Sequence, residues 1–443
     1  MRILVWGMGY VGTVTAACLA QLGNEVVGVE PNLTKVRSVN SGHSPVREPG
    51  LDELVRRMVE ERRLKAQQDC ADLVPWADLS LICVGTPSAP DGSTVLDHVR
   101  DAAVSIGRGL QGSNGYHVVV MRSTVFPGTA RRLLRPILEA HSSRRAGKDF
   151  GMAVNPEFLR ETTAIDDFKA PPYTVIGELD HRSGDILESL YRDIEADVYH
   201  ATLEEAEMLK LASNAFHALK ISFANEIGRL CDGVSINGQS VMQLVRDDTK
   251  LNISPAYLRP GFAFGGSCLP KDLRALLFNA QQLAVELPVL EAILPSNRLQ
   301  IDAALQEIHS LGGQRIAILG LSFKPGTDDL RESPVLDLVR VLCQDGFEVQ
   351  VFDPDVRLDA LMGSNKESIE GILPEIGQVL CSSLEHALQD CDTLVVTQDR
   401  REFAAAAQSL DGRVGLIDFV GLPALPQLDQ VTYLQEIQTQ QVQ

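Results

Sequence analysis

Apolar residues in this chain come in short unbroken runs that close on glycine or on an acid, and the runs alternate with stretches of helical period. Residues 2–7 (RILVWG) and 25–30 (EVVGVE) are the first two runs, and Val11–Leu22 between them, rich in alanine and leucine, reads as a helix. Leu79–Val84, His117–Arg122 and Met152–Val154 read as further strands with helical stretches between them. Unbroken apolar strands alternating with helices predict a parallel sheet covered on both faces. This half spans residues 1–201.

From residue 202 the period changes. One long helical pattern occupies 202–232, with Thr202 as its cap and Glu204 and Glu205 in the first turn. Its largely apolar composition predicts burial on most sides. More helix is expected over Lys271–Leu283 and 288–311, and the section 202–312 carries no strand signal. The strand pattern restarts at Gly312-Gly313, with strands at Arg315–Gly320, Glu348–Asp353, Thr393–Thr397 and Val414–Asp418 and a helix at Glu332–Gln344. Segment 313–443 thus echoes the first half: strand, glycine, helix, strand ending in an acid. The expected architecture is α/β, two Rossmann-like parallel-sheet domains joined by a long central helix, with a nucleotide-like ligand for each half. Gln435–Gln443 is polar and reads as a frayed tail.

Composition narrows the classes. At 443 residues the chain can build two or three domains with cores of their own. Its 40 basic and 59 acidic side chains give a formal charge of -19, which argues against a nucleic-acid or anionic-membrane surface but not against a local anion pocket. No apolar run is long enough to predict a membrane span, and the N-terminal run, broken by glycines, reads as strand-turn-helix rather than a signal peptide. The 8 cysteines are scattered without metal-binding spacing, as expected of reduced thiols in a cytoplasmic protein.

Gly7, Gly9 and Gly12 follow a strand and open a helix, the arrangement that holds a dinucleotide pyrophosphate: a tight turn, close backbone approach, helix-on-strand packing, and the free N–H groups of the helix start, including those of Tyr10 and Val11. Glu30 ends the next strand, where a carboxylate accepts from both ribose hydroxyls and repels a 2′-phosphate, so NAD is expected over NADP. Lys35 lies either near the adenosine ribose or on an exposed helix face. Thr86 and Thr124 follow apolar strands, where ligands sit in open α/β sheets; each either touches cofactor or substrate or simply ends its strand in a turn.

Three further groups carry chemistry. Glu157 and Glu161 are four residues apart and on a helical turn would share a face, beside a cation or as proton acceptors, or as a surface acid pair. Lys210, Asn214, His217 and Asn225 form one polar stripe on the long helix, facing either a solvated groove or a polar ligand such as a sugar. Cys268 stands in the glycine-rich segment 264–272 (FGGSCLPKD), where Gly265 and Gly266 permit close approach of backbone to ligand, Lys271 can stabilise a thiolate, and Asp272 can orient a water or a lysine. The other cysteines read as small buried hydrophobes.

With these motifs, and with 84–87 (VGTP), 122–124 (RST), 155–163 (NPEFLRETT), 260–272 (PGFAFGGSCLPKD) and 323–334 (FKPGTDDLRESP), nearly the whole chain resembles the nucleotide-diphosphate-sugar 6-dehydrogenases, which include the UDP-glucose and GDP-mannose dehydrogenases. The resemblance implies oxidation of a sugar C6 alcohol to a carboxylate with NAD, through a thiohemiacetal and a thioester on Cys268. It implies that Lys210 and Asn214 stabilise oxygen charge at C6, that Asp272 and Thr124 hold a water, and that Glu161 is the base in thioester hydrolysis. Lys271 and Arg331 would touch NAD, Lys324 would reach substrate, and Tyr257, Arg259 and Phe262 would grip the nucleotide sugar. His217 and the stretch before the cysteine point to GDP-mannose, with UDP-glucose as the alternative; a non-catalytic NAD-sensing regulator is the reading from another class. The resemblance also implies an intertwined homodimer or a dimer of dimers, with 202–312 as the dimerisation region.

Overall fold

The computed structural model describes residues 1–113, 115–258, 261–266, 268–328, 330–358, 369, 371–410, 414–422 and 431–433. They fall into two compact units, Met1–Ala218 and Leu219–Gln443, with the division inside a helix of 31 residues, Leu203–Gly233.

The first unit holds an eight-stranded sheet of β1 (Arg2–Trp6), β2 (Glu25–Val29), β3 (Leu64–Gln67), β4 (Leu79–Ile82), β5 (Val118–Met121), β6 (Gly151–Val154), β7 (Thr174–Glu178) and β8 (Val198–Ala201), in the order β3-β2-β1-β4-β5-β6-β7-β8. All neighbours run parallel except β6 and β7, which pair antiparallel and depart from the expected all-parallel sheet. Strand alternation feeds two cores. Ile3 and Val5 pack with helix Tyr10–Gln21 on one face, and Leu4 and Trp6 pack with helix Asp97–Leu110 on the other. The chain passes from β3 at one edge to β4 beside β1, so a crevice opens beyond the carboxyl ends of β1 and β4, the switch point where such sheets bind ligands.

The long helix begins where expected. Thr202 and Glu205 form a reciprocal capping box: the Glu205 N–H donates to Thr202 Oγ1 at 3.2 Å, and the Thr202 N–H donates to Glu205 Oε2 at 2.7 Å. Its burial differs from expectation. Leu203, Ala206 and Glu207 are buried, but Met208, Phe216, Leu219 and Ile221 are 51%, 41%, 50% and 63% exposed.

The second unit holds β9 (Arg315–Leu319), β10 (Glu348–Phe352), β11 (Thr393–Val396), β12 (Gly415–Asp418) and β13 (Val431–Tyr433) in the order β10-β9-β11-β12-β13, every neighbour parallel. Ile316 and Ile318 serve one core, Ala317 and Leu319 the other. Its helical part comprises Gly238–Asp247, which the sequence pattern did not reveal, Leu269–Gln282, Pro288–Glu291 and Ile293–Leu311. The buried Glu226 accepts from the N–H groups of Val289 and Leu290 at 2.8 and 3.0 Å, capping the short helix.

Candidate active site

The turn after β1 sorts its glycines by what surrounds them. Gly7 has φ +95°, and a Cβ there would lie 2.9 Å from the Val84 Cα. A Cβ on Gly12 would lie 1.8 Å from the Gly7 carbonyl oxygen, so the helix can sit this close to the turn only without a side chain. A Cβ on Gly9 would meet nothing within 4 Å. Gly7 and Gly12 therefore serve the protein's own packing, and Gly9 borders open space. That space is a cleft of about 910 Å³ lined by Gly7, Gly9, Glu30, Lys35 and Thr86, the volume class of a large cofactor. The first N–H groups of helix Tyr10–Gln21, among them those of Tyr10 and Val11, have no carbonyl a turn earlier to bond and are directed out of the helix end.

Glu30 is 8% exposed. Its carboxylate accepts from the Met8 and Asn32 N–H groups at 3.0 and 3.1 Å, and Lys35 Nζ lies 3.5 Å away. The acid is thus held rigidly at the cleft wall, with Lys35 beside it. The Tyr10 hydroxyl turns to the protein instead, donating to Glu48 at 2.5 Å; burial, then Glu48, raises its pKa. Glu48 also accepts from the Thr162 and Ala164 N–H groups at 2.8 and 2.9 Å. Thr86 Oγ1 donates to the Thr124 carbonyl at 2.9 Å, joining the loops after β4 and β5.

Beyond β6 the chain is not helical over 155–160, which overturns the expectation that Glu157 and Glu161 share a helical face. Glu161 is exposed, whereas Glu157 is buried and pairs with Lys210 at 2.9 Å. Lys210 Nζ also lies 5.6 Å from the centre of the Phe158 ring. The rest of the polar stripe, Asn214, His217 and Asn225, is exposed.

Sequence reasoning missed two residues that hold this region. Glu207, one turn before Lys210, is 3% exposed and accepts from the Gly128 and Ala130 N–H groups at 2.5 and 2.7 Å; burial raises its pKa. It fastens the long helix to the loop after β5 that carries Thr124. Its signal was its i,i+3 spacing from Lys210, hidden among neighbouring acids. Arg122 is 6% exposed and bonds to Thr15, Asn155 and Tyr191. Burial alone would weaken its hold on its proton, but the negative charge of Glu157 works against that and the pKa is raised.

In the second unit Cys268 is exposed and sits at the N-cap of helix Leu269–Gln282; the other seven cysteines are buried or partly buried. Burial pushes Cys18, Cys70 and Cys83 up to about 12, so they stay neutral thiols. Lys271 and Asp272 are exposed and pair with each other, which raises the lysine pKa. The glycines of this loop serve packing within the unit: a Cβ on Gly265 would lie 2.3 Å from the Glu332 carbonyl oxygen, and one on Gly266, at φ +87°, 3.0 Å from the Phe323 ring. Arg274 clamps Glu332 with bonds of 2.8 and 2.6 Å, so the helix that follows Cys268 is held at Glu332. Phe262 stacks on Phe419 with ring centres 4.5 Å apart. Tyr257 is 86% exposed, Lys324 is exposed beside the Phe323 ring, and Arg331 is half-buried. Arg259 lies outside the described residues, as does the tail 435–443.

A doubly wound sheet with a glycine turn, a helix start and a buried acid at its switch point defines a dinucleotide-dependent oxidoreductase, and the cleft fits NAD. The chain belongs to the UDP-glucose/GDP-mannose dehydrogenase family: residues 1–195 match its NAD binding domain, 204–299 its central domain and 317–418 its UDP binding domain. The GDP-mannose 6-dehydrogenase of Pseudomonas syringae pv. syringae is 45% identical over 424 residues, 96% of this chain and 97% of that protein. The crystal structure of a ternary complex of GDP-mannose dehydrogenase from Pseudomonas aeruginosa matches with a TM-score of 0.95 at 43% identity, covering 98% of this chain and all of that one. A UDP-glucose dehydrogenase from Pyrobaculum islandicum matches with a TM-score of 0.55 at 34% identity, covering 95% of this chain and 94% of that one.

Proposed function

We propose that this chain oxidises GDP-mannose at C6 to GDP-mannuronate, a four-electron reaction using NAD twice per sugar. The observation that carries the reading is Cys268: alone among the 8 cysteines it is exposed, and it stands at the start of a 14-residue helix, the positive end of the helix dipole. NAD, when bound, supplies the acceptor for the electrons removed from C6; Gly7, Gly9, Gly12, Tyr10 and Val11 hold it through backbone, with Glu30, Lys35, Thr86, Thr124, Lys271 and Arg331 as its further contacts.

The cysteine solves a chemical problem. A free aldehyde hydrates and escapes. Addition of the Cys268 sulfur to the aldehyde carbon forms a C–S bond and tethers the intermediate; loss of two further electrons gives a thioester, and attack by water breaks the C–S bond, returns the thiol and releases the carboxylate. Lys210 and Asn214 donate to the oxygen that gains negative charge, and Glu161 takes the proton of the attacking water, with Asp272 and Thr124 orienting it. Glu157 holds Lys210. His217, Asn225, Tyr257, Arg259, Phe262, Gly265 and Lys324 contact the nucleotide sugar. The domains assigned to these roles are 1–201 for NAD, 202–312 for dimerisation and 313–443 for the nucleotide sugar.

The exposed apolar residues of the long helix support a homodimer. Among the described residues no helix is long and apolar enough to cross a membrane, and the reading is of a cytoplasmic enzyme whose uronate product feeds a polymer such as alginate.

The test is the yield of NADH per mole of GDP-mannose, run beside UDP-glucose. Two equivalents are expected, with GDP-mannose preferred in kcat/KM; one equivalent means an aldehyde product, and faster turnover of UDP-glucose moves the substrate assignment. Cys268→Ser should bind nucleotide sugar and lose acid formation, whereas undiminished turnover would refute the covalent role of the thiol; a parent protein that binds NAD but oxidises neither sugar would leave an NAD-sensing role as the better reading.

A further inference from the structure

Arg122, which follows β5, carries a buried charge that no ion pair balances. Its Nε donates to Thr15 Oγ1 at 3.2 Å, its Nη1 donates to the Asn155 carbonyl at 3.4 Å and to the Tyr191 hydroxyl at 3.2 Å, and it also donates to Asn155 Oδ1. Every acceptor is neutral, and among the described residues no carboxylate lies within ion-pair distance of it. Taking a guanidinium out of water without a counter-charge is costly, so an anion further off must offset part of that cost. Glu157 is that anion. It stands two residues beyond Asn155, is 9% exposed, and lines with Arg122 the same small cavity of about 40 Å³.

Glu157 already has a partner in Lys210, at 2.9 Å. The other charges nearby do not alter the balance. Asp167 also lines the cavity but is paired with Arg160 at 2.6 Å, and the thiols of Cys18 and Cys83 are neutral. The buried cluster therefore holds two cations and one carboxylate.

We infer that Arg122 is a positioning residue that shares the Glu157 carboxylate and so leaves Lys210 with uncompensated positive charge for a negatively charged oxygen of the substrate. A lysine matched one-to-one with a buried glutamate is electrically neutral and stabilises a developing oxyanion poorly; a second buried cation on the same carboxylate restores the excess charge. The Arg122 fork also ties together helix Tyr10–Gln21 through Thr15, the start of the 155–160 loop through Asn155, and Tyr191, which fixes where Glu157 stands. The inference rests on the reading of Lys210 given above.

The experiment compares Arg122→Gln, Arg122→Lys, Glu157→Gln and the Arg122→Gln/Glu157→Gln double variant. The titration of Lys210 is read without substrate from the pH dependence of its acetylation by acetic anhydride, by mass spectrometry of its peptide. Removing the second cation should raise the Lys210 midpoint by roughly half a pH unit or more, and kcat should fall roughly tenfold or more with KM for NAD nearly unchanged. Arg122→Lys should keep the midpoint near that of the parent protein. The double variant restores the net charge and should return the midpoint towards the parent value, whereas Glu157→Gln alone should lower it. An unchanged midpoint in Arg122→Gln overturns the inference. If that variant does not fold, a double variant that titrates like Glu157→Gln alone overturns it equally. Failure of the catalytic reading is separate, since it would show as unchanged kcat in Lys210→Met whatever the midpoints.

Discussion

Lys210 Nζ lies 2.9 Å from Glu157 Oε1, with the two side chains only 11% and 10% exposed. A pair this deep costs little to replace as a unit and much to break, because the survivor stays buried and charged; breaking one typically costs about 3–5 kcal/mol. Glu157→Gln should destabilise more than Lys210→Met, because it strands Lys210 and Arg122 together, whereas Lys210→Met leaves Glu157 with Arg122. The Lys210→Met/Glu157→Gln double variant should be more stable than the sum of the single losses predicts. Urea unfolding followed by circular dichroism gives the cycle, and strict additivity would show that the pair carries no coupling.

The glycine turn makes a sharper contrast. Gly12→Ala places a methyl 1.8 Å from a backbone oxygen, whereas Gly9→Ala places one where nothing lies within 4 Å. Gly12→Ala should therefore lose stability at or beyond the upper end of the about 1–3 kcal/mol usual for overpacking. Gly9→Ala should melt like the parent protein and yet bind NAD more weakly, because its methyl occupies the path of the pyrophosphate. Differential scanning fluorimetry and NAD titration calorimetry separate the two effects. A Gly9→Ala protein that melts as early as Gly12→Ala would mean that Gly9 serves the fold rather than the ligand.

These contrasts show what could be read from the chain in advance. The β1 turn was legible because strand, glycine spacing and acid all lie within Arg2–Glu30, and short-range geometry decides them. Short strands β3 (LKAQ) and β8 (VYHA) were not, because half of each is polar and only pairing to a neighbour makes them strands. Glu157 and Glu161 were singled out for the wrong reason: their spacing matters only on a helix, and residues 155–160 form none. The long helix looked buried because its apolar residues are many, yet a chain's own fold need not cover every apolar face, and here Phe216, Leu219 and Ile221 remain exposed. Arg122 stood inside a recognised motif, but its lack of an ion pair is a fact about depth and neighbours that spacing does not carry.

His117 gives a prediction about acid. It is 1% exposed; its Nδ1 lies 2.9 Å from the Ala77 carbonyl, which can only accept, so Nδ1 carries the proton, and Nε2 accepts from the Ser80 hydroxyl at 3.0 Å. Burial lowers its pKa from 6.5 to about 4. As pH falls below 6.5 the unfolded chain takes up a proton that the folded chain refuses until about pH 4, so this contribution to stability is complete above 6.5 and is lost towards 4. A gap of this size corresponds to about 3 kcal/mol. His200 works the other way: its bond to Glu178 raises its pKa, and its contribution fades as pH rises. The difference between the parent protein and a variant isolates His117. His117→Phe should be less stable at pH 7.5, having lost both hydrogen bonds, but should lose much less stability than the parent between pH 6.5 and 4. Parallel stability curves for the two proteins across that interval would show that His117 takes up its proton equally readily in the folded and unfolded chain.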